Sequence, residues 1–478
     1  MSHVSRREFL RAAALSVGVL RVAEPTRADT TDPDVTRDDV VPDPWSNVPA
    51  ILARIKAPVF PARDFSIKTF GAVGDGTTDC SEPIRRAIAA CVAAGGGRVV
   101  VPRGRYLTGA VHLASKVNLH LVEGATLAFH TDPARYLPAV HTRFEGMELM
   151  GYSPFIYAFD ATNVAVSGRG TLDGQASDDN WWAWKRGKDQ ALTQVPARDK
   201  LMAAMEAGTP VADRTFAAGS YLRPQFVQFY RCRNVLIDGV TIINSPMWEV
   251  HPVECVNVTV RGLSIRTHGP NNDGCDPESC RDVLIERCLF DTGDDCIAIK
   301  SGRNADGRRL HVPTENVIVR DCTMKDGHGG VTIGSEISGG VRHVFVERCA
   351  MDSPQLDRAL RFKNNAMRGG TLEHVYMRDC TIGEVAESVL SIDLLYEEGA
   401  NGPYTPVVRD VELRNVTSRK SQYGVYMRAY PTSEIADIRI VNCRFANVAK
   451  GNVADNVRGL VFTNTRINDQ LVPGTPAK

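Results

Sequence analysis

The residues best suited to chemistry sit in four short clusters. Asn272-Asp273-Gly274 and Gly293-Asp294-Asp295 are followed by Gly327-His328-Gly329 and then by Arg361-Phe362-Lys363. Carboxylates crowded into one site cannot all ionise freely, so at least one holds a proton. A protonated acid beside ionised partners is what cleavage of a glycosidic bond requires. The acid protonates the leaving oxygen while a carboxylate activates water or attacks. Arg361 and Lys363 would grip the carboxylate of an acidic sugar, and His328 could tune the acid near neutral pH. Taken singly, each cluster has a plainer reading. Asn-Asp-Gly is a common turn, Gly-flanked aspartates make a solvated corner or a weak Ca²⁺ site, and Arg-x-Lys on a strand is solvated charge. The chemical reading needs elements that bring the four clusters onto one face.

The chain carries such elements. From about residue 232 a pattern of two short alternating runs recurs, beginning at Val235, Val258, Val283, Val317, Val344, Val375, Val411, Ile438 and Leu460. Each run alternates with period two, which marks a strand with one buried face. Starts lie 22 to 36 residues apart by subtraction of residue numbers, the spacing of coils stacked in a parallel β-helix. The predicted fold is all-β, a single-stranded right-handed parallel β-helix. Asp294 and His328 each fall eleven residues after their coil's first valine, Val283 and Val317. With coils about 4.8 Å apart, the aspartates and His328 then line one ridge. In the following coil Leu360 and Phe362 would point inward and leave Arg361 and Lys363 on the outer face.

Cys288, Cys322, Cys349, Cys380 and Cys443 share a repeat slot that other coils fill with Val240, Leu263 and Val416. A slot shared with valine and leucine is a core position, so these cysteines are expected as buried free thiols, with Cys275 and Cys280 the pair to watch for a disulfide. Earlier runs, Val99–Val101, Val111–Leu113 and Val117–Leu121, predict the first coils. Ser81-Glu82-Pro83 opens an amphipathic segment closed by Gly95-Gly96-Gly97, which predicts a helix capping the N-terminal end of the coil stack. Residues 29–62 are rich in Asp and Pro and read as a linker or loose arm. The catalytic body is expected over residues 63–478, with an insertion at about 174–224 that carries Trp181, Trp182 and Trp184.

Ser5-Arg6-Arg7-Glu8-Phe9-Leu10, a short apolar run and Thr26-Arg27-Ala28 read as a twin-arginine signal peptide over residues 1–28. A periplasmic or secreted protein is expected. Lys plus Arg and Asp plus Glu number 56 each, a balance that argues against whole-protein attraction to nucleic acid or a membrane surface. A monomer without a metal or cofactor is expected.

In that order, the four clusters resemble the polygalacturonases of glycoside hydrolase family 28. Asn272 stands where that family usually has Thr, and Phe362 where it usually has Ile. The resemblance runs from Phe70-Gly71-Ala72-Val73-Gly74-Asp75-Gly76 to at least Lys363. It implies hydrolysis of polygalacturonate with inversion, without a metal. Asp294 would be the general acid, Asp273 and Asp295 would hold and deprotonate the water, and His328 would support the acid. Arg361, Lys363 and Asn272 would bind substrate, with Tyr396 facing the same sugar. Ser220-Tyr221-Leu222-Arg223-Pro224, the Trp-rich insertion and Cys296–Gly302 are similar to the bacterial exo-acting branch, where added loops admit only a chain end. The partner implied is an acidic polysaccharide or oligogalacturonide. Three other activities share the fold: a rhamnogalacturonan hydrolase, a Ca²⁺-dependent pectate lyase and a non-catalytic polysaccharide-binding β-helix. A lyase has no use for a carboxylic acid donor. Rung spacing alone leaves retention and inversion equally open.

Overall fold

The structure, a computed structural model, describes residues 43–473. The leader expected over residues 1–28 and the first part of the following arm, residues 29–42, lie outside that range. Among the described residues no helix is long and apolar enough to cross a membrane.

Alternation of buried β-branched residues with polar ones winds the chain into a right-handed parallel β-helix. Its first sheet has 13 parallel strands, beginning with Asp64–Ser66 and Gly97–Val101 and ending with Glu434–Val441 and Val457–Thr463. The repeats from Val235 onward supply successive strands in register, with Val235, Val258, Val283, Val317, Val344, Val375, Val411, Ile438 and Leu460 stacked. At the entry to this sheet Asn163, Asn234, Asn257 and Asn316 take positive φ, as do Asp282, Asp410 and Asp437. Asn and Asp tolerate that conformation best after glycine. Their side chains also bond up the stack, Asn257 Nδ2 to Asn234 Oδ1 at 2.7 Å and Asn234 Nδ2 to Asn163 Oδ1 at 2.8 Å.

The second sheet carries the other half of each repeat, for example Ser264–Thr267, Leu289–Thr292 and Thr323–Met324. A third face is built from Ile297–Ile299, Val331–Ile333, Arg358–Lys363 and Ser388–Asp393. The twelve-residue strand Thr417–Arg428 pairs with both the second and the third face and so joins them. One continuous apolar core fills the interior. Each Val, Leu, Ile, Phe or Met side chain sealed there stabilises the stack by about 1.5–3 kcal/mol. All twelve cysteines are buried free thiols, Cys275 and Cys280 included.

Helix α1, Val48–Arg54, corrects the expectation of a loose arm for the described part of residues 29–62. Leu284, Ile318, Phe345 and Tyr376 lie in register on the outer surface of the first sheet. Trp45, Val48, Ile51 and Ile55 cover this apolar stripe. Helix α2, Ser81–Ala93, buries Ile84, Ala87, Ile88 and Cys91 against the first coils and caps them.

The insertion runs between the strands Thr171–Asp173 and Val227–Tyr230 and contains α3, Ala183–Arg186, and α4, Val195–Glu206. Two further excursions meet α4. One is the antiparallel hairpin Val140–Phe144 and Met147–Gly151; the other is α5, Asn304–Leu310. Phe144, Met147 and Leu149 of the hairpin pack with Leu201 and Met205 of α4 and with Trp248.

Candidate active site

The candidate ridge is the corner where each coil turns from the second sheet into the third face. The strand Ser264–Thr267 leads into Asn272 and Asp273, Leu289–Thr292 into Asp294 and Asp295, and Thr323–Met324 into His328. Backbone bonds lock these corners together. Asp294 N donates to Asn272 O at 3.2 Å, and His328 N donates to Asp294 O at 3.1 Å. Oxygens of Asp273, Asp294 and Asp295 come within 4.8 Å of one another.

Each carboxylate has its own surroundings. Asp295 is sealed, with a side chain 0 % exposed. Lys363 Nζ donates to its Oδ2 at 2.6 Å, Thr332 Oγ1 to its Oδ1 at 2.8 Å and Arg361 Nη1 to its Oδ1 at 3.4 Å. Burial works to raise this carboxyl, but Lys363 and Arg361 overcome it and hold Asp295 well below the usual carboxylate range. Asp273 is also buried and lies 3.5 Å from Lys300 Nζ. Burial and then the adjacent Asp294 push its carboxyl well above the usual range, against the pull of Lys300. Asp294 is the accessible member, its side chain 17 % exposed, and its Oδ1 meets His328 Nδ1 at 3.0 Å. That hydrogen bond raises the His328 imidazole to about 9, despite partial burial.

Asn272 departs from the expected substrate contact. It is fully buried, and its amide donates to Ser245 O and Met247 O while its carbonyl accepts from Thr267 Oγ1 and Gly269 N. No polar atom is left for a sugar, because this side chain shapes the turn that presents Asp273. Arg361 and Lys363 do reach the site from the third face, one coil beyond Thr332. Tyr396 stands beside them, its ring centre 5.8 Å from the Arg361 guanidinium and 5.6 Å from Lys363 Nζ.

The trio spaces its oxygens as a divalent ion would need. Lys363, Arg361 and Lys300 already supply positive charge at that place, so these carboxylates need no ion to offset them.

Several members of the site carry no motif of their own. A cavity of about 210 Å³ opens on Asp273, Asp294, His328, Arg361, Lys363 and Tyr396. Its far wall is made by Lys185 of α3, Arg198 of α4, Glu145 of the hairpin, Arg303, Glu336 and Glu397. Arg223 fastens this wall to the turn that carries Asp273. It is fully buried and donates to Gln194 Oε1 at 3.1 Å, Pro246 O at 2.9 Å, Pro270 O at 2.6 Å and Asn271 Oδ1 at 2.7 Å. The Arg223 stretch and the run ending at Gly302 stand out in the sequence, whereas Glu145 and Glu336 have no local signal.

Comparison with known proteins agrees with this geometry. A family model described as glycosyl hydrolases family 28 matches residues 217–450. The chain is similar to the crystal structure of a hyperthermoactive exopolygalacturonase from Thermotoga maritima, at 45% identity and a TM-score of 0.86, covering 89% of this chain and 96% of that one. It is 27% identical to an exo-poly-alpha-D-galacturonosidase from Dickeya chrysanthemi, over 84% of this chain and 71% of that relative. A probable polygalacturonase from Vitis vinifera is 28% identical over 81% of this chain and 75% of its own length. With its trio of aspartates on stacked coils of a parallel β-helix, this chain belongs to glycosyl hydrolase family 28.

Proposed function

We propose that this enzyme hydrolyses the galacturonosyl bonds of polygalacturonate from a chain end, with inversion of configuration. The observation that carries the reading is the small walled cavity with the carboxylate trio at one side. At about 210 Å³ it falls below the ~300–1,000 Å³ of sites that take larger ligands, a size suited to one terminal sugar. An open groove would serve internal cleavage instead. The names of the Thermotoga and Dickeya relatives support the same exo reading.

The trio stores a single proton. Asp295 stays ionised, and a proton held at the buried Asp273 can pass to its neighbour Asp294 on the next coil. Asp294, the member a sugar can reach, delivers it to the leaving oxygen. Asp295 and the newly ionised Asp273 then take a proton from the attacking water. Arg361 and Lys363 hold the sugar carboxylate while offsetting Asp295.

A retaining route is the second reading, favoured by carboxylate oxygens that all lie within 4.8 Å of one another, closer together than the inverting range of ~6.5–9.5 Å. Burial weighs against it. A nucleophile must touch the anomeric carbon, yet Asp295 is sealed and Asp273, which lines the cavity, is only 3 % exposed. Water can enter where a sugar carbon cannot.

Early products from polygalacturonate decide the mode of attack. Monomer alone supports exo action, dimer a digalacturonate-releasing enzyme, and a ladder of oligomers overturns the exo reading. Proton NMR of the first anomer released decides inversion. Absence of product from polygalacturonate but not from rhamnogalacturonan would overturn the substrate. We also propose export to the periplasm or beyond, supported by Arg6-Arg7 and the apolar run that follows; cell fractionation tests it.

A further inference from the structure

Lys300 serves two acids at once. Its amine lies 3.2 Å from Glu336 Oε2 and 3.5 Å from Asp273 Oδ2, over the face of Trp248 at 4.3 Å. Glu336 is shared in turn, with Arg303 Nη1 3.5 Å from its Oε1. The same Arg303 nitrogen lies 3.0 Å from Glu145 Oε2, and Arg198 Nε meets that oxygen at 2.6 Å. An unbroken file of alternating charges therefore runs from α4 in the cavity wall to the catalytic carboxylate. Apart from Arg198, every side chain in the file is at least nine-tenths buried.

The backbone pins this file in place. Arg303 N donates to Gly146 O at 3.0 Å. A Cβ on Gly146, which has a φ of 78°, would lie 2.9 Å from Arg303 N and 2.9 Å from Glu336 Cβ. The hairpin thus closes down on both charges with no room for a side chain.

Asp273 is sensitive to the file because little else can offset it. Asp294 and Asp295, from the next coil, both repel its charge. Lys363 attracts it but is bound to Asp295 at 2.6 Å. Glu249, whose N–H donates to Asp273 O, and Asp276 on its own turn are fully buried acids. Burial, then the nearby Asp273, pushes both well above the usual carboxylate range. Arg223 stands further off, with its donors spent on Gln194, Asn271 and carbonyl groups. Lys300 is the near cation, and its attention is divided.

We propose that Arg198, Glu145, Arg303, Glu336 and Lys300 act as positioning residues that couple the cavity wall to the proton shared by Asp273 and Asp294. The inference rests on the hydrolytic reading above. A terminal uronate seated against the wall would draw Arg198 toward its own carboxylate. Glu145 then leans on Arg303, which releases Glu336 to Lys300, and Lys300 loosens its hold on Asp273. The site keeps its proton most firmly when a chain end fills it, which is when the proton is needed.

The test is the alkaline limb of kcat against pH with trigalacturonate, where the shared proton is lost. His328 is present in every variant, so its contribution cancels. Lys300→Met is expected to move the limb up by about one pH unit and Glu336→Gln to move it down by a similar amount. Arg198→Met is expected to move it up by less, and Arg198→Lys to restore the wild-type profile. In the Arg198→Met, Lys300→Met double variant the Arg198 effect should vanish, since non-additivity marks action through the shared partner. Shifts in one common direction, or strict additivity, overturn the coupling. If Lys300→Met does not fold, the opposed shifts of Glu336→Gln and Arg198→Met decide the question alone. Wild-type protein inert toward both trigalacturonate and polygalacturonate would overturn the hydrolytic reading itself, a result distinct from active variants with unmoved limbs.

Discussion

Burial and partners, more than residue type, divide the work among the three aspartates. Asp294 alone is open enough to meet a leaving oxygen, so Asp294→Asn is expected to lower kcat by roughly 10²–10⁴-fold with an unchanged circular dichroism spectrum. Near-normal turnover would remove it as the acid. His328 shows the same logic through its partner. Its hydrogen bond to Asp294 raises the imidazole from 6.5 to about 9. A raised value means that the pair's contribution to stability is complete below about 6.5 and is lost as pH rises through about 9. NMR titration of the ring should show that midpoint, and in Asp294→Asn it should fall back toward the ordinary imidazole value. Lys363 serves Asp295 besides its proposed hold on substrate, since it donates to the carboxylate at 2.6 Å. Lys363→Met is therefore expected to lower kcat besides raising KM. A change confined to KM would leave the amine a substrate ligand only.

At the scale of elements, the coils were legible because their signal is local: inward apolar residues at Val258 and Val260, and again at Val283 and Ile285 one coil later. The ridge followed, since Asp294 and His328 hold equal offsets in successive repeats. The wall was not legible. Arg198 meets Glu145 across 53 residues and Arg303 meets it across 158, and no period in the chain records such contacts. Asn272 was read as a ligand because it adjoins Asp273, and only its buried amide bonds show it to be part of the turn. Helix α1 had a readable trace that composition hid. Leu284, Ile318, Phe345 and Tyr376 occupy outward positions where Glu412 and Arg439 stand in later coils, and an apolar stripe on an outer face calls for a cover. Trp45 is the anchor of that cover, edge-on to Phe345 at 5.4 Å with the Arg378 guanidinium 3.9 Å over its ring. Trp45→Ala is expected to weaken the docking of α1 by about 3 kcal/mol. Hydrogen exchange over residues 48–54 should quicken while the coils stay protected. Uniform loss of protection would show instead that the helix unfolds with the whole.

For the molecule as a whole, the stack of coils sets a chemical constraint on how it can fold. Cys322 contacts both Cys288 and Cys349, and Cys349 contacts Cys380, each pair on neighbouring rungs. Strands about 4.8 Å apart lie within the ~4.4–6.8 Å between Cα atoms that a disulfide spans. The native thiols are buried and free, so the finished stack shields them, but an unfolded chain does not. Oxidation before the coils close would join cysteines from different rungs in the wrong pairs and block the register. Folding in a reducing compartment followed by export in the folded state, as the proposed twin-arginine leader would provide, avoids that loss. In native buffer a thiol reagent is expected to find none of the twelve cysteines, and after unfolding without reductant it should find them all. Refolding in reductant should restore activity, whereas refolding in an oxidised glutathione buffer should yield cross-linked, inactive chains. Equal recovery in both, with no cross-links formed, would show that the coils close faster than the thiols can react and would remove any need for a reducing start.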